Sequence, residues 1–228
     1  MKRANIFLLP IMKYFHTIAL LTFTLCVNDV KAEIVNGGFE QGLSAWDFGR
    51  WGENDINEGS SLYIDRTKAS EGVSSLYMSA LVWNAPDRIF LSRQTATQTF
   101  DAVAGQSCVF DYMGGGGGIC DVSGGYSDWF RGTFNVSIYS ADGQCFYKVS
   151  PDYSEDWRTF CFPQFAATGS YTISFEVFSQ LGSAEWDTES WGLESVNIDN
   201  VCVPEPSTFV LSGIGIISLL AYAWRRRK

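Results

Sequence analysis

The feature that most constrains the fold is the alternation of apolar and polar residues in two stretches. Residues 133–140 place Phe134, Val136 and Ile138 at every second position, and residues 171–178 show the same period. A period of two is typical of strands with one buried face. Further short runs of this kind are separated by Gly, Asp and Asn turns, and no helical period precedes the C-terminal tail. The pattern predicts an all-β protein, an antiparallel β-sandwich. The other expected strands are residues 61–65, 74–79, 95–100, 107–113, 144–149, 157–162 and 196–203.

A run of five glycines, residues 114–118, interrupts this pattern. No Lys-Ser or Lys-Thr follows it, so it does not match a phosphate-binding loop. We expect a flexible surface loop which, with residues 120–128, forms a long insertion between two strands. Insertions on a rigid scaffold often carry binding residues.

The N-terminus has the features of an export signal. Lys13 precedes an apolar run, residues 15–27, and small residues end at Ala32. A positive flank, a short apolar core and a small residue at the cut describe a secretory signal peptide, residues 1–32. Met12 is an alternative start to Met1, because the signal is complete from there.

The C-terminus has three parts. Val203, Pro204, Glu205 and Pro206 lead into an apolar run, which we expect to form a transmembrane helix over residues 208–224. A basic tail, residues 225–228, follows. A helix of this length is at the short end of what spans a bilayer, and the basic tail should stay in the cytoplasm. The β-domain should therefore occupy residues 33–203 and the tail residues 204–228.

This tail resembles the PEP-CTERM sorting signal of Gram-negative bacteria. The resemblance implies recognition by an exosortase, cleavage near Pro204-Glu205-Pro206, and a link to exopolysaccharide and biofilm. The chain would be held transiently in the inner membrane by its C-terminal helix. It would then reach the periplasm, the outer cell surface or the extracellular matrix.

Charge and histidine content exclude several functions. Residues 33–206 hold 24 acidic and 8 basic side chains, a net charge near −16. Such a surface argues against nucleic acid and anionic membrane as partners, and is compatible with calcium and neutral glycans. The only histidine, His16, lies in the signal, so the mature domain lacks Ser-His-Asp and Cys-His catalysis in their usual forms, and histidine-ligated metal.

Five cysteines remain after the signal. In an oxidising compartment some should pair, and the odd number leaves at least one free or bonded to another chain. Cys145 with Cys161 is the first expectation. Cys108 with Cys120 would close the glycine loop. Sequence alone does not decide the connectivity.

Four fragments resemble galactose-binding-like jelly rolls, which include carbohydrate-binding modules. These are residues 35–46 (Val-Asn-Gly-Gly-Phe-Glu onward), 100–106, 190–193 and 198–201. In many such domains a structural calcium ties the first strand to the last, and Glu40 and Asp199 match those positions. Calcium prefers several oxygen ligands. The alternative is that both residues cap turns.

Glycan recognition needs exposed rings beside polar groups. Trp51, Trp83, Trp129 and Trp186 lie in polar, loop-like surroundings, and we expect Tyr126, Trp129, Trp186 and Trp83 to form a platform. The alternative is that these rings cover the open ends of the sandwich.

Three function classes stay open. The first is a non-catalytic envelope protein that binds glycan or exopolysaccharide. The second is a glycoside hydrolase using Glu185, Asp187 and Glu189, whose two-residue spacing resembles the acidic motif of some retaining β-glucanases. The third is a matrix protein without a soluble ligand. We expect no enzyme activity.

Overall fold

The computed structural model describes residues 34–52, 60–83, 89–115, 119–122, 129–182 and 190–204. Every described residue lies in the second of the two units into which the chain divides, residues 32–228. The expected signal peptide and the helix over residues 208–224 lie outside the described residues. Within the described ranges, no helix has the length and apolar character needed to cross a membrane.

The described residues form eleven strands. They are β1 (Asp47–Gly52), β2 (Leu62–Asp65), β3 (Ser75–Trp83), β4 (Ile89–Ala102), β5 (Val109–Gly114), β6 (Ile119–Val122), β7 (Trp129–Ser140), β8 (Cys145–Val149), β9 (Ser154–Cys161), β10 (Gly169–Gly182) and β11 (Ser190–Cys202).

The strands pair into two antiparallel sheets. The five-stranded sheet has the order β1-β4-β10-β7-β8, and the six-stranded sheet has the order β2-β3-β11-β5-β9 with β6 also paired to β11. The predicted all-β antiparallel sandwich is confirmed. Two strands, β1 and β6, were not expected.

Strand β6 corrects the prediction of a long insertion without secondary structure. Ile119–Val122 pairs antiparallel with β11, where Ile119 lies opposite Leu193. Gly115 is buried, and its N–H donates to the Ser195 carbonyl at 2.8 Å. The ladder of β11 therefore continues past the end of β5, and part of the glycine-rich segment belongs to the sheet.

Strand β10 is the centre of the five-stranded sheet. Its 14 residues pair with β4 on one side and with β7 on the other. Ile173, Phe175 and Val177 point inward and are fully buried, as their alternation predicted. Burying each such side chain stabilises the fold by about 1.5–3 kcal/mol.

Aromatic rings fill the space between the sheets. Phe110 of β5 packs against Phe175 of β10 with ring centroids 5.3 Å apart, and Phe134 of β7 stacks on Phe175 at 6.3 Å. Trp46 and Phe39, from the loop before β1, pack against each other with centroids 5.3 Å apart. Trp46 is 6% exposed and belongs to this core.

The N-terminal loop is fixed to the last strand by close backbone contact. The N–H of Val201 donates to the carbonyl of Gly37 at 3.0 Å. A Cβ at Gly37 would lie 1.7 Å from the Val201 carbonyl oxygen. Only glycine permits this approach, so the start and the end of the β-domain pack together.

Candidate functional site

The residues predicted to form a glycan platform are only partly described. Tyr126 and Trp186 lie outside the described residues. Trp83 ends β3 and Trp129 begins β7, and of these two only the backbone is described. Trp129 pairs with Gly182, the last residue of β10, and only five residues separate Trp83 from the start of β4. The two positions therefore lie at the same end of the sandwich.

The acidic triplet proposed for hydrolysis, Glu185, Asp187 and Glu189, also lies outside the described residues.

A different set of side chains lies on the outer face of the five-stranded sheet. Trp51, Arg93, Phe178 and Thr133 stand directly opposite one another on β1, β4, β10 and β7. Opposite residues in antiparallel strands project from the same face. Trp51 is 50% exposed.

Polar groups continue this row one step along the strands. Arg93 forms an ion pair with Glu176, and Asn135 Nδ2 donates to Glu176 Oε1 at 3.1 Å. Ser150 Oγ donates to Asn135 Oδ1 in turn. We call Trp51, Arg93, Phe178, Glu176 and Asn135 the tryptophan strip. Since exposed ion pairs add about 0–1 kcal/mol, these contacts orient the side chains more than they stabilise the fold.

The sequence analysis did not predict the tryptophan strip, although the alternation in residues 171–178 indicated one of its faces. The polar positions of residues 171–178, including Glu176, were expected to share one face of a strand. What was lacking was the pairing of β1 with β4, which places Trp51 on the same face.

The outer face of the six-stranded sheet carries a second row. Tyr63, Tyr77, Asn197 and Met113 stand opposite one another on β2, β3, β11 and β5. The rings of Tyr63 and Tyr77 lie 4.8 Å apart.

This row borders a groove of about 570 Å³, which we call the tyrosine groove. Its lining includes the following side chains: Lys68, Tyr77, Met113, Tyr153, Glu155, Leu193 and Asn197. Ligand pockets commonly enclose about 300–1,000 Å³, so the groove is large enough for a small ligand. Burial, together with the nearby Tyr77 and Asp65, raises the pKa of Tyr63, which stands beside the groove.

Glu40 and Asp199 both hold the loop between β2 and β3. Glu40 Oε1 accepts the N–H groups of Val73 at 2.7 Å and Ser74 at 3.0 Å. Asp199 Oδ2 accepts the N–H groups of Ser70 at 2.8 Å and Glu71 at 3.1 Å. These contacts match the alternative in which the two carboxylates cap turns.

The same contacts bear on the expected calcium. N–H groups already donate to Glu40 Oε1 and Asp199 Oδ2, so those two oxygens fit as acceptors for the loop rather than as cation ligands. Among the described residues, no three or more His, Cys, Asp or Glu side chains are grouped to hold a metal. Burial raises the pKa of Asp199 although the loop N–H groups oppose that shift. Structural calcium remains a prediction.

The four described cysteines, Cys108, Cys145, Cys161 and Cys202, are free thiols, so the expected Cys145–Cys161 bond is not present. Cys145 begins β8, at the edge of the five-stranded sheet, whereas Cys161 ends β9, at the edge of the other sheet. Cys145 Sγ instead donates to the carbonyl of Tyr147 at 3.5 Å, and Cys161 Sγ donates to the carbonyl of Phe162 at 3.4 Å. The side chain of Cys120, the expected partner of Cys108, lies outside the described part of the chain.

The fold is a β-sandwich that resembles solved carbohydrate-binding modules. TmCBM61, solved in complex with β-1,4-galactotriose, is 15% identical, with a TM-score of 0.41 over 74% of this chain and 97% of its own. A CBM4 module is 15% identical, with a TM-score of 0.36 over 73% and 98%. The K1 cleaved adhesin domain of Lys-gingipain from Porphyromonas gingivalis W83 is 12% identical, with a TM-score of 0.35 over 71% and 94%.

Residues 203–228 carry a PEP-CTERM protein-sorting motif, which confirms the resemblance of the tail. The motif indicates an exported protein that is held transiently at the membrane and processed by an exosortase. No curated protein matches the chain.

Proposed function

We propose that this protein is a non-catalytic module of the cell envelope that binds neutral glycan through the tryptophan strip. After its signal peptide is cut at Ala32 and its tail is processed, it associates with envelope glycan or with the exopolysaccharide of a biofilm. The observation that carries the proposal is the exposed ring of Trp51 beside the contact network of Arg93, Glu176 and Asn135.

The chemistry of the strip suits a sugar. An indole ring offers a flat apolar face to the C–H groups of a pyranose, and Phe178 adds a second ring in the same row. Arg93, Glu176 and Asn135 supply donors and acceptors for hydroxyl groups. Because all five side chains stand on paired strands, binding requires little further ordering.

Charge favours a neutral polymer over an anionic one. Residues 33–206 carry a net charge near −16, which would repel a polyuronate chain. The proposal therefore names neutral glycan as the ligand class.

Two observations support a binding role over hydrolysis. Glycosidases commonly use a pair of carboxylates, and Glu176 is the one carboxylate among the five residues of the strip. Glu176 is also engaged by Arg93 and Asn135. The alternative of hydrolysis by Glu185, Asp187 and Glu189 predicts release of reducing sugar from β-glucan, lost when Glu185 is changed to Gln.

Binding can be tested with the full chain in mild detergent by affinity electrophoresis. The gels would contain β-glucan, galactan, mannan, xylan or, as the anionic comparison, alginate. Trp51→Ala should weaken binding to the preferred neutral polymer at least tenfold, about 1.4 kcal/mol. Phe146→Ala removes a ring that is 38% exposed on β8, outside the strip, and should bind like the parent. Unchanged binding by Trp51→Ala would refute the proposal.

The sorting part of the proposal has its own test. Mass spectrometry of the protein from its native cells should show a start at Glu33 and an end near Pro206. Recovery of an unprocessed tail in mature envelope protein would contradict exosortase cleavage, and the predicted helix over residues 208–224 would then act as a lasting anchor.

A further inference from the structure

The tyrosine groove lies on the opposite side of the sandwich from the tryptophan strip. Tyr77 projects outward from β3, because its neighbours Leu76 and Met78 are fully buried between the sheets. Arg93 projects outward from β4 in the other sheet, where Ser92 and Gln94 are buried. The outer faces of two packed sheets point in opposite directions, so one ligand cannot contact both surfaces.

The row of side chains beside the groove crosses the strands. Tyr63, Tyr77, Asn197 and Met113 occupy one register position on four adjacent strands. Neighbouring strands are about 4.8 Å apart, so the row spans roughly 14 Å. A surface of this length suits a chain molecule lying across the sheet.

Exposed rings lie at both ends of this surface. Tyr153 is 55% exposed and Tyr63 is 47% exposed, so both present ring area to solvent. Between them, Asn197 is held by hydrogen bonds from its Nδ2 to Asp65 and Ser75, both at 3.1 Å. Asn197 is itself only 3% exposed, so it forms the floor of this surface rather than a free donor. The exposed rings, with Lys68 and Glu155 of the groove as donor and acceptor, suit a flat, partly apolar ligand that carries hydroxyl groups.

Charge again decides between ligand classes. The groove contains one basic side chain, Lys68, and Glu155 is acidic, so it offers no concentration of positive charge. The domain around it is strongly acidic, which disfavours an anionic polymer. The chemistry on this face is that of a neutral glycan.

We propose that the tyrosine groove is a second binding site for neutral glycan, and that one module thereby holds two chains on opposite faces and cross-links them. This inference rests on the proposed function of the tryptophan strip. It adds a structural role, since a bivalent module joins polymers that a single-site module would only coat.

Stoichiometry and cross-linking test the inference. The full chain would be titrated by calorimetry with short oligosaccharides of β-glucan, galactan, mannan and xylan, and mixed with the long polymers while turbidity is followed. The parent should bind two oligosaccharides and make the long polymer turbid. Tyr77→Ala combined with Tyr153→Ala should bind one and produce no turbidity. Tyr153→Ala alone removes an exposed ring, so it can be tested even if the double variant is unstable. It should weaken binding at one of the two sites at least fivefold.

Each outcome separates the two proposals. If the parent has one site, and Trp51→Ala loses it while the tyrosine variants keep it, the second site is refuted and the role of the tryptophan strip stands. If the parent has one site and only the tyrosine variants lose it, both the role of the tryptophan strip and the cross-linking are refuted. A parent that binds no neutral polymer, or prefers alginate, overturns both proposals. Phe146→Ala is the matched control and should retain two sites.

Discussion

Asn197 of β11 donates its side-chain amide to Oδ2 of Asp65 on β2 at 3.1 Å, across the intervening strand β3. Asp65 Oδ1 accepts the N–H of Thr67 at 2.8 Å and its hydroxyl at 2.6 Å. One carboxylate therefore fixes the turn after β2 and positions the amide of the tyrosine groove.

This contact predicts acid sensitivity. Burial raises the pKa of Asp65, but hydrogen bonds from Thr67 and Asn197 and the charge of Lys68 outweigh burial, so the pKa lies below its ordinary value. An aspartate in the unfolded chain titrates at about pH 3.9. The stabilisation from the Asp65 contacts is therefore complete above about pH 5 and is lost as the pH falls through the pKa of Asp65 in the folded protein. The Tm of the parent should fall between about pH 5 and pH 2, and Asp65→Asn should fall less steeply. Asp152→Asn, an exposed control, should follow the parent. Parallel curves for parent and Asp65→Asn would contradict the assignment.

Removing Asp199 should destabilise the domain. Asp199→Ala leaves the N–H groups of Ser70 and Glu71 without their acceptor, at about 1–3 kcal/mol for each group that stays buried. Asp199→Asn retains one acceptor oxygen and carries no buried charge, so its loss should be smaller. Urea unfolding measures both, with the exposed Asp101→Ala as control. Equal stability of Asp199→Ala and parent would show that the contacts to the loop contribute nothing.

The calcium prediction is tested by a chelator. If calcium binds near Glu40 and Asp199, EDTA should lower the Tm of the parent and added calcium should restore it. The Asp199→Asn variant should be insensitive to both additions. A parent whose Tm is the same with EDTA and with excess calcium would exclude a structural calcium.

Gly37→Ala should prevent folding or cost more than about 4 kcal/mol, since its Cβ would overlap the carbonyl of Val201. Gly38→Ala is the matched control, because its Cβ would meet no atom closer than 3.8 Å. Circular dichroism and thermal melts compare the two variants. A Gly37→Ala protein as stable as Gly38→Ala would show that the N-terminal loop does not need this approach.

The cysteines should differ in reactivity. Cys108 is fully buried, and burial raises the pKa of its thiol, whereas Cys145 and Cys161 are exposed. Iodoacetamide should label Cys145 and Cys161 in the native protein and Cys108 only after unfolding. Mass spectrometry reads out the labelled peptides. A native Cys145–Cys161 disulfide in the peptide map would contradict the thiol state.

The alternation of apolar residues was enough to predict β7 and β10, because both strands bury one face along most of their length. Strand β1, Asp47–Gly52, contains two glycines and no β-branched residue, so its own sequence does not favour a strand. It exists because β4 offers a long edge with which it can pair. Strand β6 has two β-branched residues, but it is only four residues long and follows the glycine run, which favoured a loop.

The candidate sites depend on register, which local sequence does not determine. Trp51 and Arg93 are 42 positions apart in the chain, and only the β1–β4 ladder makes them neighbours. The same holds for Tyr77 and Asn197 on β3 and β11. Aromatic residues in polar surroundings therefore favoured Tyr126, Trp83, Trp129 and Trp186 as a platform, whereas the neighbours that the ladders bring to Trp51 and Tyr77 were not predicted.

The sorting motif follows directly from β11, a strand with a neighbour on each side, and Val203 just beyond it is 5% exposed. A pull transmitted through the tail would thus act along β11 and be shared by the ladders to β3 and β5. Detaching the end of the domain under such tension would mean breaking the ladders on both sides of β11, whereas a strand at the edge of a sheet is held by one ladder. The point at which the chain is held transiently at the membrane is in this sense also a mechanically strong point of the sandwich.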